Sequence, residues 1–233
     1  MIRLFRHVRE DVKNILARDP AARSFISVML LYPGLHAIWA HRVSHWLWRH
    51  NVTFLARWIS QAVRSITLIE IHPGAKIGRG CFIDHGNGVV IGETAVVGRD
   101  VTIYQGVTLG GTSLERTKRH PTVEDRVLVG AGAKVLGDIV IGHDTRIGAN
   151  SVVTKSVRPH SVVVGVPGQV IAVRGEVDIK AKGSGGDTPD PVGQAVHQLM
   201  ARVNELEQKV HGHSHAPVVD DTQGYWDYED FTI

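Results

Sequence analysis

The chain has 233 residues, 43% of them apolar and 21% charged, with a formal net charge of +3, which supplies apolar side chains for one or two folded units and excludes disorder throughout. Lys and Arg are spread without a basic run interleaved with aromatics, which argues against a nucleic-acid surface, and the single cysteine, Cys81, cannot close an internal disulfide. Arg3, Arg6, Arg9, Glu10 and Asp11 stand where a signal peptide would be apolar, and the apolar stretch 25–48 is broken by Pro33-Gly34 and carries His36, His41, Arg42 and His45, so neither leader nor membrane span is expected and the expected location is cytoplasmic.

Residues 1–68 read as a helical region. Asp19 followed by Pro20 has the form of an N-cap with proline in the first turn. Val28, Leu31, Leu35, Ile38, Trp39, Val43, Trp46 and Leu47 recur at steps of three and four, with a break at Tyr32-Pro33-Gly34. That spacing describes packed helices with one apolar face. Trp46 and Trp48 are read as packing residues rather than substrate contacts.

Across residues 69–174 the period changes. Aliphatic residues return every six positions at Ile71, Ile77 and Ile83, then Ile91, Val97, Ile103 and Leu109, then Val123, Val129, Val135, Ile141, Ile147 and Val153. Glycine often follows, and the fifth position of the hexad is small or β-branched, as at Ala75, Cys81, Ala95 and Thr145. A six-residue period is too short for a helix pair or a βαβ unit; it fits a short strand plus a corner, three of which make one triangular coil. Cys81 therefore reads as a core residue, not a nucleophile. Two phase breaks must be ejected from such a coil, a two-residue slip between Ile83 and Ile91 and a longer excursion between Leu109 and Val123. Insertions on a solenoid commonly carry function.

Residues 175–191, rich in Gly, Ser, Asp and Pro, read as a flexible linker. In 192–210, Val192, Val196, Leu199, Val203, Leu206 and Val210 form a heptad seam that serves either a parallel coiled coil or docking on the chain's own body. The tail 211–233 begins with His211, His213 and His215, read as a solvated run, and ends acidic and aromatic at Phe231-Thr232-Ile233.

The two breaks hold the groups that carry chemistry: Asp84-His85-Gly86-Asn87-Gly88 in the first and Arg119-His120-Pro121 closing the second, with Glu70-Ile71-His72-Pro73, Gly92-Glu93-Thr94 and Gly110-Gly111-Thr112 around them. The hexads resemble the hexapeptide-repeat acyltransferases, and this set of motifs over residues 15–170 resembles the serine acetyltransferases. The resemblance implies an α+β chain: an N-terminal α-helical region, a left-handed parallel β-helix of hexapeptide repeats, and a flexible C-terminal tail. It also implies transfer of acetyl from acetyl-CoA to the hydroxyl of L-serine, the first committed step of cysteine biosynthesis, with no tightly bound cofactor and no metal.

A serine hydroxyl barely ionises at neutral pH, so a base must take its proton as it attacks the thioester carbon. An imidazole suits that task, and His85 is the expected base. The resemblance implies Glu70 as the carboxylate that orients it. Arg119 offers a planar fork to the substrate carboxylate. The resemblance gives the ammonium to Asp84 and Asp19 and places His120 beside the hydroxyl and the developing oxyanion. The acetyl-CoA groove is expected along Gly111, Thr112, Gly130, Ala131, Gly148 and Ala149, with Lys155 at a phosphate. The resemblance further implies a homotrimer or dimer of trimers with its site between subunits, and O-acetylserine sulfhydrylase as a partner taken through the Ile233 carboxylate. Three other readings stand beside this one. They are a zinc carbonic anhydrase using His72, His85 and His120, an acetyltransferase for sugars or antibiotics, and a non-catalytic scaffold.

Overall fold

A computed structural model describes residues 2–173, 199–203 and 205–206. The chain divides into two units, Met1–Ser184 and Gly185–Ile233. In the second, residues 199–203 and 205–206 are helical, and the seam residues Leu199, Val203 and Leu206 are exposed. The expected linker 175–191, the rest of the seam, the histidine run and the Ile233 terminus lie outside the described residues.

The first unit opens with helices α1 (Ile2–Arg18), α2 (Phe25–Leu31), α3 (Pro33–Arg49) and α4 (Thr53–Thr67). Asp19-Pro20 does not start a helix; it ends one. A residue before proline is pushed out of the helical region, so α1 stops at Arg18, and Asp19 Oδ1 accepts the Ala21 N–H at 2.7 Å to close a turn. The N-cap of α2 is Ser24, whose Oγ accepts the Ser27 N–H at 3.1 Å. Tyr32 separates α2 from α3, with Pro33 in the first turn of α3 as the sequence break required. Trp46 is not a packing residue: it lies off the stripe Ala37, His41 and Ser44 that α3 buries, and it stacks on His50 at 4.4 Å between ring centroids.

The coil follows as β1 (Glu70–Ile71), β2 (Lys76–Ile77), β3 (Phe82–Ile83), β4 (Val90–Ile91), β5 (Val96–Val97), β6 (Thr102–Ile103), β7 (Thr108–Gly110) and β8 (Thr122–Val123). It continues as β9 (Leu128–Val129), β10 (Lys134–Leu136), β11 (Val140–Ile141), β12 (Arg146–Ile147), β13 (Val152–Val153), β14 (Ser161–Val164) and β15 (Gln169–Val173). Each strand from β1 to β10 pairs with the one three places on. The first face is β1-β4-β7-β10-β13, the second β2-β5-β8-β11, and the third β3-β6-β9-β12 extended by β14 and β15. Pairing is parallel except between β14 and β15, whose antiparallel hairpin closes the end of the coil.

Every aliphatic position of the six-residue repeat falls in a strand, and all but Ile77 are buried along one continuous core. Ala75, Ala95, Ala133, Thr145 and Ser151 fill the small positions at the corners. The first phase break, residues 84–89, lies at the corner from third to first face, here called the third corner. The second, residues 111–121, lies at the first corner, between first and second faces.

The helices cover the start of the coil. Ser60 Oγ donates to the Ile71 carbonyl at 2.9 Å, and Asn14 Nδ2 donates to the Gly80 carbonyl at 2.7 Å. A Cβ on Gly34 would stand 2.1 Å from the Ile83 carbonyl oxygen, so only glycine lets α3 approach β3 this closely.

His41 is buried in that joint, and burial pushes its pKa from 6.5 down to about 3, with the neighbouring His45 acting in the same direction. Below pH 6.5 the unfolded chain takes up a proton that the folded chain refuses. Stability therefore falls with acid by up to about 1.4 kcal/mol per pH unit. Half-buried His72, lowered to about 4, adds to the loss over the upper part of that range. The urea midpoint is expected to drop steadily from pH 6.5 towards pH 4, and His41→Leu is expected to flatten the slope.

Candidate active site

At the third corner the chain makes a tight bulge, with Gly86 N–H donating to the Asp84 carbonyl and Asn87 N–H to the His85 carbonyl, each at 2.7 Å. His85 takes a left-handed backbone conformation, φ +58°, that few non-glycine residues adopt. Its ring stands outward with the side chain 76% exposed, and its charged neighbour is Asp84, whose Oδ1 is 4.0 Å from Nε2.

The turn after α1 brings Asp19 towards the same corner. Tyr32 donates its hydroxyl proton to Asp19 Oδ2 at 2.5 Å; that bond, with burial and the field of Asp19, pushes the phenol up to about 12, and Asp84 is near enough to add to it. The Asp84 carboxyl is itself raised by burial and by Asp19, against a lowering by His85. Two carboxylates that repel each other thus stand beside the exposed His85 imidazole. Tyr32 was not singled out in the sequence, where Tyr-Pro-Gly reads only as a helix break.

Glu70, expected to orient His85, is instead paired with Arg64 Nε at 3.3 Å. It lies on β1, which pairs with β4 at the outgoing arm of the bulge.

A second cluster occupies the first corner. Arg119 Nη2 meets Glu93 Oε2 at 2.6 Å, and Nη1 donates to the Glu115 carbonyl at 3.0 Å. His120 is buried beside Thr94, whose Oγ1 is 2.8 Å from His120 Nδ1. Trp48 belongs here and not to packing alone: the last turn of α3 lies over this corner, setting its indole edge-on to His72 at 5.0 Å. It lines a cleft of about 790 Å³ with Glu93, Thr94, Leu114, Lys118 and Arg119.

These clusters stand at opposite edges of the first face, so one chain does not bring Asp84 and His85 to Arg119 and His120. The expected acetyl-CoA residues divide the same way. Gly111, Thr112 and exposed Lys155 are at the first corner; Gly130, Ala131, Gly148 and Ala149 are at the third. Gly130 has a coil-building reason of its own, since a Cβ there would lie 2.7 Å from the Ala149 nitrogen. Burial pushes the Cys81 thiol up to about 12, which leaves no nucleophilic thiolate. His143, Asp144 and His160 gather at the remaining corner, where Arg126 Nε and Nη2 hold the carboxylate at 2.8 and 2.7 Å.

The family described as bacterial transferase hexapeptide (six repeats) matches residues 120–155. The serine acetyltransferase of Mycobacterium tuberculosis is 51% identical over 232 residues, 97% of this chain and 98% of that protein. The chain belongs to the serine acetyltransferase family. The serine acetyltransferase of Bacillus subtilis is likewise 51% identical, over 88% of this chain and 94% of its own. Among solved structures, a Brucella abortus serine acetyltransferase in complex with coenzyme A aligns with TM-score 0.71 at 43% identity, over 73% of this chain and 68% of that one. A serine acetyltransferase is an acyltransferase, and its coil winds as a left-handed β-helix, against the usual right-handed crossover. No described helix is long and apolar enough to cross a membrane.

Proposed function

We propose that this serine acetyltransferase transfers acetyl from acetyl-CoA directly to the hydroxyl of L-serine at a site shared by the third corner of one subunit and the first corner of the next. The observation that carries this reading is the division itself: two carboxylates with an exposed imidazole at one edge of the first face, and a guanidinium with a buried imidazole at the other.

Asp19 and Asp84 take the serine ammonium, and Arg119, kept in place by Glu93, takes the carboxylate. His85 accepts the hydroxyl proton as Oγ attacks the thioester carbon. The intermediate collapses with loss of the C–S bond, and the same proton passes to the departing sulfur. Glu70 orients His85 after leaving Arg64, whose side chain is 55% exposed, so the ion pair given up contributes less than about 1 kcal/mol. His120 faces the developing oxyanion. The pantetheine arm runs past Gly111, Thr112, Gly130, Ala131, Gly148 and Ala149, and Lys155 meets a phosphate.

A homotrimer satisfies the split site, and exposed Phe54, Trp58 and Ile66 on α4 with Leu30 and Leu31 on α2 supply apolar surface for a further pairing of trimers. The acidic, aromatic end with Ile233 suits capture by O-acetylserine sulfhydrylase, because a free carboxylate on a small apolar side chain resembles an amino-acid ligand.

The test is thiol release from acetyl-CoA on metal-stripped protein. Release that depends on L-serine and yields O-acetylserine is expected. Release driven equally by a sugar or amine acceptor, or no release from folded oligomeric protein, would overturn the assignment.

A further inference from the structure

We propose that Thr94 is a positioning residue that fixes His120 in the tautomer with its proton on Nε2, making His120 a hydrogen-bond donor to the reacting thioester oxygen and not a second base. This rests on the function proposed above and assigns a role within that site.

The hydrogen bonds leave one solution. Thr94 Oγ1 lies 3.0 Å from the Arg119 backbone nitrogen and 3.1 Å from that of His120. Backbone N–H groups only donate, so both lone pairs of the hydroxyl are taken. Its single proton is left for His120 Nδ1, 2.8 Å away. The backbone N–H of Thr94 also points at Nδ1, at 3.3 Å. Nδ1 thus faces two donors and is an acceptor, which puts the proton of the neutral ring on Nε2.

The charged groups around the ring agree. Burial and the charges of Arg119 and Lys118 disfavour imidazolium, and Glu93 alone opposes them. The Nε2 edge of the ring packs against two glycines: a Cβ on Gly92 would stand 2.0 Å from Nε2, and one on Gly111 3.2 Å. A side chain on Gly92 would displace the ring, so glycine there lets His120 lie with Nδ1 turned to Thr94.

The experiment compares full-length wild type, Thr94→Val and Thr94→Ser by ¹⁵N NMR of the histidine rings, assigned through His120→Asn, and by steady-state kinetics. Wild type is expected to show His120 protonated at Nε2. Thr94→Ser keeps that signature and a kcat within about threefold. Thr94→Val, equal in volume but without the hydroxyl, is expected to give mixed tautomers and a kcat about 10²-fold lower, with KM for acetyl-CoA nearly unchanged. A wild-type ring protonated at Nδ1, or a Thr94→Val chain with altered tautomer and full kcat, overturns the proposal. Should Thr94→Val fail to fold, the wild-type spectrum and the serine variant still decide it. The ring spectrum is independent of the acyl acceptor, so it stands even if serine-dependent transfer fails.

Discussion

Replacing His85 by Asn is expected to lower kcat by about 10³-fold, the range for loss of a positioned general base, while KM for acetyl-CoA stays within about threefold. Asn is chosen because position 85 has φ +58°, which Asn tolerates and Ala resists, so the variant removes the base without straining the bulge. The hydrogen bonds that shape the turn run through backbone atoms of Asp84, His85, Gly86 and Asn87, and they survive the substitution. Thermal stability is therefore expected to be unchanged, and steady-state thiol release read beside a melting curve separates lost chemistry from lost fold. Retention of more than about a tenth of wild-type kcat would place the base elsewhere.

The coil was legible because its signal is local and self-similar. Each hexad places an aliphatic residue inside and a small one at the corner, so Ile91, Ile103 and Val135 announce themselves without knowledge of any distant residue. Asp19 illustrates the opposite case. Asp-Pro has the same local appearance at either end of a helix, and its turn is settled by where α1 has already run out. Glu93 and Thr94 lie within the Gly92-Glu93-Thr94 motif, and the sequence holds the means to find their partners. Val97 and Val123 stack as neighbours on the second face, an offset of 26 residues, and the same offset carries 93 onto 119 and 94 onto 120. Counting hexads within one coil does not show this; the register across the ejected loop does. Trp48 and Tyr32 are beyond such counting. Their roles depend on how the helices lie over the first coil, which is set by the close approach at Gly34 and by the buried polar joint around His41 and Ser60.

A mixed trimer of two inactive chains is expected to regain activity. His85→Asn destroys the third-corner half of a site and Arg119→Gln the first-corner half, so each variant alone is close to dead. When the two are unfolded and refolded together in equal amounts, a working site needs an Arg119→Gln chain supplying its intact third corner to a His85→Asn chain supplying its intact first corner. Random pairing of two chain types gives that ordered neighbour in about one quarter of the interfaces, so about a quarter of wild-type kcat per site is expected. The double variant refolded with wild type provides the reference, because it adds no intact half-site. Recovery depends on geometry alone: the two corners bound the same face from opposite edges, and no side-chain rearrangement within one chain carries His85 around the coil to Arg119. A mixture no more active than its components would mean that each chain completes its own site, and the shared-site assignment would fall while the chemistry assigned to His85 could stand.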